Sequence, residues 1–365
     1  MTEMAQQKLV SADSHVLLTG DWVKQRLRRD LQAVWDEAGR KSEAYAAEHL
    51  RGGQPNLELR DFVDPEASED PGYSEPGARL AAMDRDGVQA EVLFPELGGA
   101  KVCHPALMGD AWKEVFQGYN QALADFASYN PDRLLCAYQL PLMDVDFACR
   151  EVERLARDHK ARCVQITPFP ADMGLPDFHD PVYEPLWRTI EETGLTIMNH
   201  LEPKTELWSI FRRDPTPQKG IFTALPWAPL AEAICFWILT GTLEKHPNLR
   251  VVFVEPGLGW IPWFFEFLLD PRMHEHYEFP GVNRPPSETF RAQCGATFMY
   301  EPKGLKAFYD YFGADCLYWS TDFPHPATCW PHSQQQVVSQ LTEAGIPEHD
   351  RKKIVCDNAL RTFAL

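Results

Sequence analysis

The chain has no Cys-x-x-Cys pair, which excludes the common zinc-ribbon and thioredoxin-type motifs. Its nine cysteines are scattered and odd in number. Most sit in apolar segments, the pattern of buried free thiols in a reducing compartment. No Gly-x-Gly-x-x-Gly follows the first apolar run, so nothing points to a dinucleotide fold. Basic clusters are also missing. With 35 Lys and Arg against 53 Asp and Glu, the net charge is -18 and the pI ≈ 5.1. That excludes a nucleic-acid partner, and the acidity reads as solubility. The very apolar run 231–239 is too short to cross a bilayer. Residues 1–8 are polar and lack a signal-peptide core. The expectation is a cytoplasmic, homo-oligomeric protein with no membrane partner.

What is present is a long alternation. The 365 residues are 44% hydrophobic, ample for a core. Short apolar runs at 9–15, 88–94, 134–140, 163–166, 195–199, 249–254, 292–299 and 316–320 read as strands. Helical patterns lie between them, at 21–38, 78–86, 110–129, 145–159, 183–192, 228–245, 260–269 and 303–312, and two more follow at 333–344 and 350–364. No pair of runs carries a hairpin signal. Strands that alternate with helices predict a parallel sheet, and eight units predict a closed (β/α)8 TIM-like barrel. The stretch 52–76, rich in Pro, Gly, Asp and Glu, reads as a loop excursion, and 203–225 as a long aromatic loop. The whole of 1–365 is then one domain with C-terminal helices.

In this fold the chemistry sits where strands end. The first strand ends in Asp13-Ser14-His15, and residues two apart share a side of a strand. The second strand ends at Glu96, with His104 in the loop beyond; the fifth delivers His200, the sixth Glu255 and the eighth Asp322. Four carboxylates at one mouth repel one another. Two divalent cations offset that charge, where one does so only in part. A shell of oxygen and imidazole suits iron, with manganese or zinc as alternatives. Aromatic residues in the mouth loops, Trp208, Trp227, Trp260, Phe323 and Trp330 among them, suit a bulky apolar substrate.

Several motifs together resemble the amidohydrolase-related family, which includes metal-dependent hydrolases and aromatic-acid decarboxylases. They are Asp13-Ser14-His15, Met83-Asp84-Arg85-Asp86-Gly87-Val88, Asn199-His200, the segment from Glu255-Pro256-Gly257 to Trp263, and Ser320-Thr321-Asp322-Phe323-Pro324-His325 with Trp330-Pro331 beyond. The resemblance spans nearly the whole chain. It implies the barrel, a metal bound by Asp13, His15, His200 and Asp322, and His325 lining the pocket. Two positions depart from the decarboxylases. They usually carry histidine where Glu255 stands, and a small polar residue in place of Glu96. Both changes add negative charge where a carboxylate substrate would bind.

The full set Asp13, His15, Glu96, His104, His200, Glu255 and Asp322 is similar instead to a branch that holds two irons and hydroxylates C–H bonds, as in diterpenoid hydroxylases of platensimycin-type pathways. The expectation is therefore a dinuclear non-haem iron monooxygenase. It would use O2 and an external electron donor on a bulky apolar small molecule, free or on a carrier thioester. Asp322, Glu255 and His325 would be its catalytic groups. Two alternatives stay open: a mononuclear hydrolase of C–N or C–O bonds, and a non-oxidative decarboxylase.

Overall fold

The computed structural model describes residues 8–45, 64–96, 105–202, 204–275 and 278–365. Eight strands follow one another in a single sheet in sequence order. They are β1 (Leu9–Val16), β2 (Val88–Pro95), β3 (Leu134–Gln139), β4 (Cys163–Gln165), β5 (Thr196–His200), β6 (Arg250–Val254), β7 (Cys294–Phe298) and β8 (Leu317–Trp319). Every neighbouring pair from β1 to β8 is parallel. Three main-chain amides bond the two edges together. The Asp322 amide donates to the Asp13 carbonyl at 3.0 Å, the His15 amide to the Phe323 carbonyl at 2.6 Å, and the Thr321 amide to Ser11 Oγ at 2.9 Å. The architecture is the expected (β/α)8 barrel.

The strands are buried almost throughout because helices cover the outside. The Val145–His159 helix shows how one is set. Asp144 Oδ1 accepts from the Phe147 amide at 2.8 Å as its N-cap. Phe147, Ala148, Val152 and Leu155 are then buried against the sheet. The Glu184–Thr193 helix stops at Gly194, whose φ of 70° needs a residue without Cβ.

Several expectations change. The helix expected over 21–38 is two pieces, Gly20–Lys24 and Arg29–Tyr45, because the Arg26 and Leu27 amides turn back onto carbonyls three residues earlier. The loop expected over 203–225 contains a helix, Thr205–Arg213. Leu207 and Phe211, one turn apart, pack on Phe222 in a small core of their own. The 260–269 helix begins as Ile261–Trp263 and widens into a π-type turn over Phe264–Leu269. Much of the 52–76 excursion lies outside the described residues, which resume with two short turns, Pro65–Glu69 and Pro71–Tyr73, capped by Asp64 and Asp70. The described cysteines are all free, as expected. Among the described residues no helix is long and apolar enough to cross a membrane.

Candidate metal centre

Asp13 and His15 reach the mouth from a strand with a bulge. Ser11 pairs with Glu91 and Ser14 with Leu93, so β1 carries one extra residue beside Asp13. Such a bulge re-aims side chains, and it brings Asp13 Oδ1 to 3.7 Å from His15 Nε2. His200 ends β5. Its Nδ1 lies 2.7 Å from the Leu201 carbonyl, which can accept only if Nδ1 carries the hydrogen. Nε2 is then the nitrogen that faces the centre, 3.5 Å from Asp13 Oδ1 and 3.6 Å from Glu255 Oε2, and it is free to bind a metal once its own proton is lost. Asn199, one residue earlier, accepts from Trp237 Nε1 at 2.6 Å and holds the strand end in place.

Glu255 follows β6 and Asp322 follows β8. Both have left-handed backbones, with φ of 57° and 53°. Aspartate tolerates that region and glutamate does so less readily, so the Glu255 bend stores strain at a functional position. Its amide is tied down by Thr297 Oγ1 at 2.9 Å. Arg79 holds β1 from behind. Nη1 donates to the His15 carbonyl at 2.8 Å, and Nε pairs with the buried Glu91 at 2.6 Å.

One atom each of Asp13, His15, His200 and Glu255 lie within 4.8 Å of one another, and so do atoms of His15, Glu255, Asp322 and His325. Both Asp13 oxygens, His15 Nε2, His200 Nε2 and Asp322 Oδ1 are buried without a hydrogen-bond partner of proper geometry. Orphaned buried atoms of this kind are costly, and so many converging on one point are the signature of a cation site. The donors are imidazole and carboxylate, which suit a divalent metal such as manganese or zinc. The residues fit the group.

His325 is built differently, because both its nitrogens are occupied by carboxylates. Nδ1 lies 3.0 Å from Asp322 Oδ1, and Nε2 lies 3.1 Å from Glu96 Oε1. Burial alone would lower its pKa, but those two carboxylates outweigh burial and raise it well above the usual imidazole value. The ring is an imidazolium. It stands 3.8 Å from the His15 ring. Burial and the His325 charge together lower the His15 pKa, which keeps that ring neutral. Burial would raise Glu96, but His15 and His325 hold it down at about 2. Asp322 is likewise held below the carboxylate range against its burial by the His15 and His325 rings close beside it. Glu255 goes the other way: burial and the Asp322 charge push it well up.

The structure therefore brings Asp13, His15, His200, Glu255, Asp322 and His325 together. Glu96 touches His15 and His325 and belongs to neither ligand group. His104 lies outside the described residues. Of the aromatic residues, Phe323 and Trp330 pack on each other, with Arg79 over the Phe323 ring. Trp208 packs with Phe211 and Phe222. Trp260 donates to the Pro256 carbonyl beside Glu255 and pairs with the partly exposed Trp227. Phe94, not singled out from the sequence, lies closer to the centre, its ring 4.6 Å from that of His200. Arg79 and Thr297 were missed too. Neither forms a motif, and only the fold shows what they hold.

Comparison with known proteins places this geometry. A family model described as Amidohydrolase matches residues 13–365. The gamma-resorcylate decarboxylase of Rhizobium sp. is 27% identical over 312 residues, covering 79% of this chain and 86% of that protein. The 2-amino-3-carboxymuconate-6-semialdehyde decarboxylase of Dictyostelium discoideum is 24% identical over 302 residues, covering 80% and 77%. Among solved structures, the 5-carboxyvanillate decarboxylase of Novosphingobium aromaticivorans, complexed with manganese and 4-hydroxy-3-methoxy-5-nitrobenzoic acid, superposes with a TM-score of 0.71 at 16% identity, covering 100% of both chains. These relatives overturn the expectation of an O2-dependent dinuclear iron monooxygenase. They are decarboxylases, and the solved one holds manganese. The sequence reading was misled by charge. It counted Glu96 as a ligand needing a second ion, whereas the structure sets against it the His325 imidazolium, a cation the protein makes itself.

Proposed function

The chain belongs to the amidohydrolase family, and from that premise we propose that it is a metal-dependent, non-oxidative decarboxylase of a hydroxylated aromatic carboxylic acid. The observation that carries this reading is His325 Nδ1 held 3.0 Å from Asp322 Oδ1, beside the converging orphaned atoms of Asp13, His15 and His200. One divalent metal would be held by Asp13, His15, His200 and Glu255, with Asp322 at its edge. When bound it supplies positive charge for the substrate's carboxylate and a neighbouring hydroxyl oxygen.

The protein's own groups account for the remaining chemistry. His325 holds the proton at Nδ1 and passes it to Asp322 Oδ1. From there it reaches the ring carbon that bears the carboxylate. The new C–H bond forms, the C–C bond breaks with its electron pair returning to the ring, and CO2 leaves. One proton is consumed and no electron is gained or lost, so neither O2 nor a reductant is required. Glu96 keeps its negative charge throughout, and that charge favours the return of His325 to its protonated state by a proton taken up from solvent. The Phe94 ring offers an apolar face next to His200 for a flat substrate.

The test is CO2 release from a panel of hydroxybenzoates by the manganese-loaded protein, under strictly anaerobic conditions. Product and CO2 should appear in equal amounts without oxygen. Turnover of esters or amides, with none of the acids, would overturn the reading in favour of hydrolysis.

A further inference from the structure

A single oxygen of Glu96 serves two imidazoles. Oε1 lies 3.6 Å from His15 Nδ1 and 3.1 Å from His325 Nε2. The rings are 3.8 Å apart and tilted by 36°. In each ring the other nitrogen faces the centre. His15 Nε2 is orphaned, 3.3 Å from Asp322 Oδ1, and His325 Nδ1 is 3.0 Å from the same oxygen. Glu96 therefore stands behind both rings, on the side away from the converging ligand atoms. It is fixed there. Its amide donates to the Val16 carbonyl at 3.0 Å, its side chain is only 7% exposed, and the buried Tyr73 hydroxyl lies against it.

We infer that Glu96 is a positioning residue shared by the metal site and the proton donor: it aims His15 Nε2 at the metal and holds His325 Nδ1 on Asp322. A carboxylate behind a ligating imidazole fixes the tautomer with its hydrogen on the far nitrogen and makes the near one more basic. Here the same carboxylate also orients the acid. A one-residue displacement at the end of β2 then disturbs metal binding and proton delivery together. The second half rests on the decarboxylase reading; the first does not.

The experiment uses the full chain loaded with Co2+, with Glu96→Gln as the near-isosteric variant and Glu96→Ala as the deletion. Co2+ affinity is measured by competition with a chelator, stoichiometry by metal analysis, ligand field by the visible spectrum, and folding by thermal midpoint. The expected result is an affinity loss of about 10–100-fold in both variants. The metal content at saturation should stay the same, the Co2+ bands should shift, and kcat should fall with little change in KM. Should Glu96→Ala fail to fold, Glu96→Gln carries the measurement. Unchanged affinity and spectrum would overturn the inference. So would loss of one whole ion per chain with the rest bound as before, because Glu96 would then be a ligand. If the unaltered protein turns over no aromatic acid while affinity and spectrum still shift in the variants, the decarboxylase reading fails and the anchor stands.

Discussion

The Asp322 amide donates to the Asp13 carbonyl across 3.0 Å, so the bond that closes the barrel also sets the spacing of the two carboxylates that flank His15. Fold and chemistry separate cleanly at this joint, because the bond uses main-chain atoms only. Asp322→Asn should therefore keep the barrel, and its thermal midpoint should stay close to that of the unaltered protein. The amide cannot take the His325 proton, however, and kcat should fall by about 10²–10⁴. A stopped CO2-release assay beside a melting curve checks both halves. Retained activity would remove Asp322 from the proton path.

Metal affinity should depend on pH through His200. Burial lowers its pKa, but Asp13 and then Glu255 outweigh burial and raise it to about 9 in the metal-free protein. A ligand imidazole must be neutral, so binding has to expel that proton. Between pH 6 and 9 the affinity should climb, by about tenfold per pH unit for the His200 proton and more steeply where Glu255, whose pKa burial pushes well up, gives up its own proton. The slope should level off as pH passes 9. Calorimetric Mn2+ titrations in two buffers of different ionisation enthalpy count the proton directly.

The barrel was legible in the sequence because strand and helix periods alternate without a hairpin signal, and the motifs Asp13-Ser14-His15 and Asn199-His200 fall on strand ends as read. Less legible was which charged groups are partners of one another. Glu96 and His325 are far apart in the chain and meet only because β2 and the segment after β8 flank β1. Counting charges without that contact invited a second ion. The bulge in β1 was hidden for a similar reason, since register is a property of the pair and not of one strand. The Thr205–Arg213 helix was read as loop because its apolar face, Leu207 and Phe211, is short and has a partner, Phe222, only in the folded chain.

Glu255 should display a trade between stability and function. Its φ of 57° costs about 1–3 kcal/mol for a residue with a side chain. Burial of its carboxyl, and then the charges of Asp322 and Asp13 beside it, push its pKa up. Glu255→Gly removes both burdens, against some added chain entropy in the unfolded state. The metal-free variant should melt at a higher temperature than the unaltered protein. Its Mn2+ affinity should drop at least about tenfold, by loss of one ligand. A lower melting temperature would mean that the bend is not strained.

Glu301 ties the loop that carries Glu255 to the end of β7. Its Oε2 accepts from the Leu258 amide at 2.8 Å. Burial pushes its pKa from 4.5 up to about 7, against the pull of the Leu258 and Gly259 amides toward the charged form. The folded state therefore holds a proton here that the unfolded chain releases. The stability from this group is complete below pH 4.5 and is lost as pH rises through 7, an effect of about 3 kcal/mol at the upper limit. Glu301→Gln keeps an oxygen for the two amides and cannot ionise. Its urea unfolding free energy should vary less between pH 4.5 and 7 than that of the unaltered protein, and should be the larger of the two at pH 8. Parallel pH profiles for the two proteins would show that Glu301 already stands ionised in the folded chain.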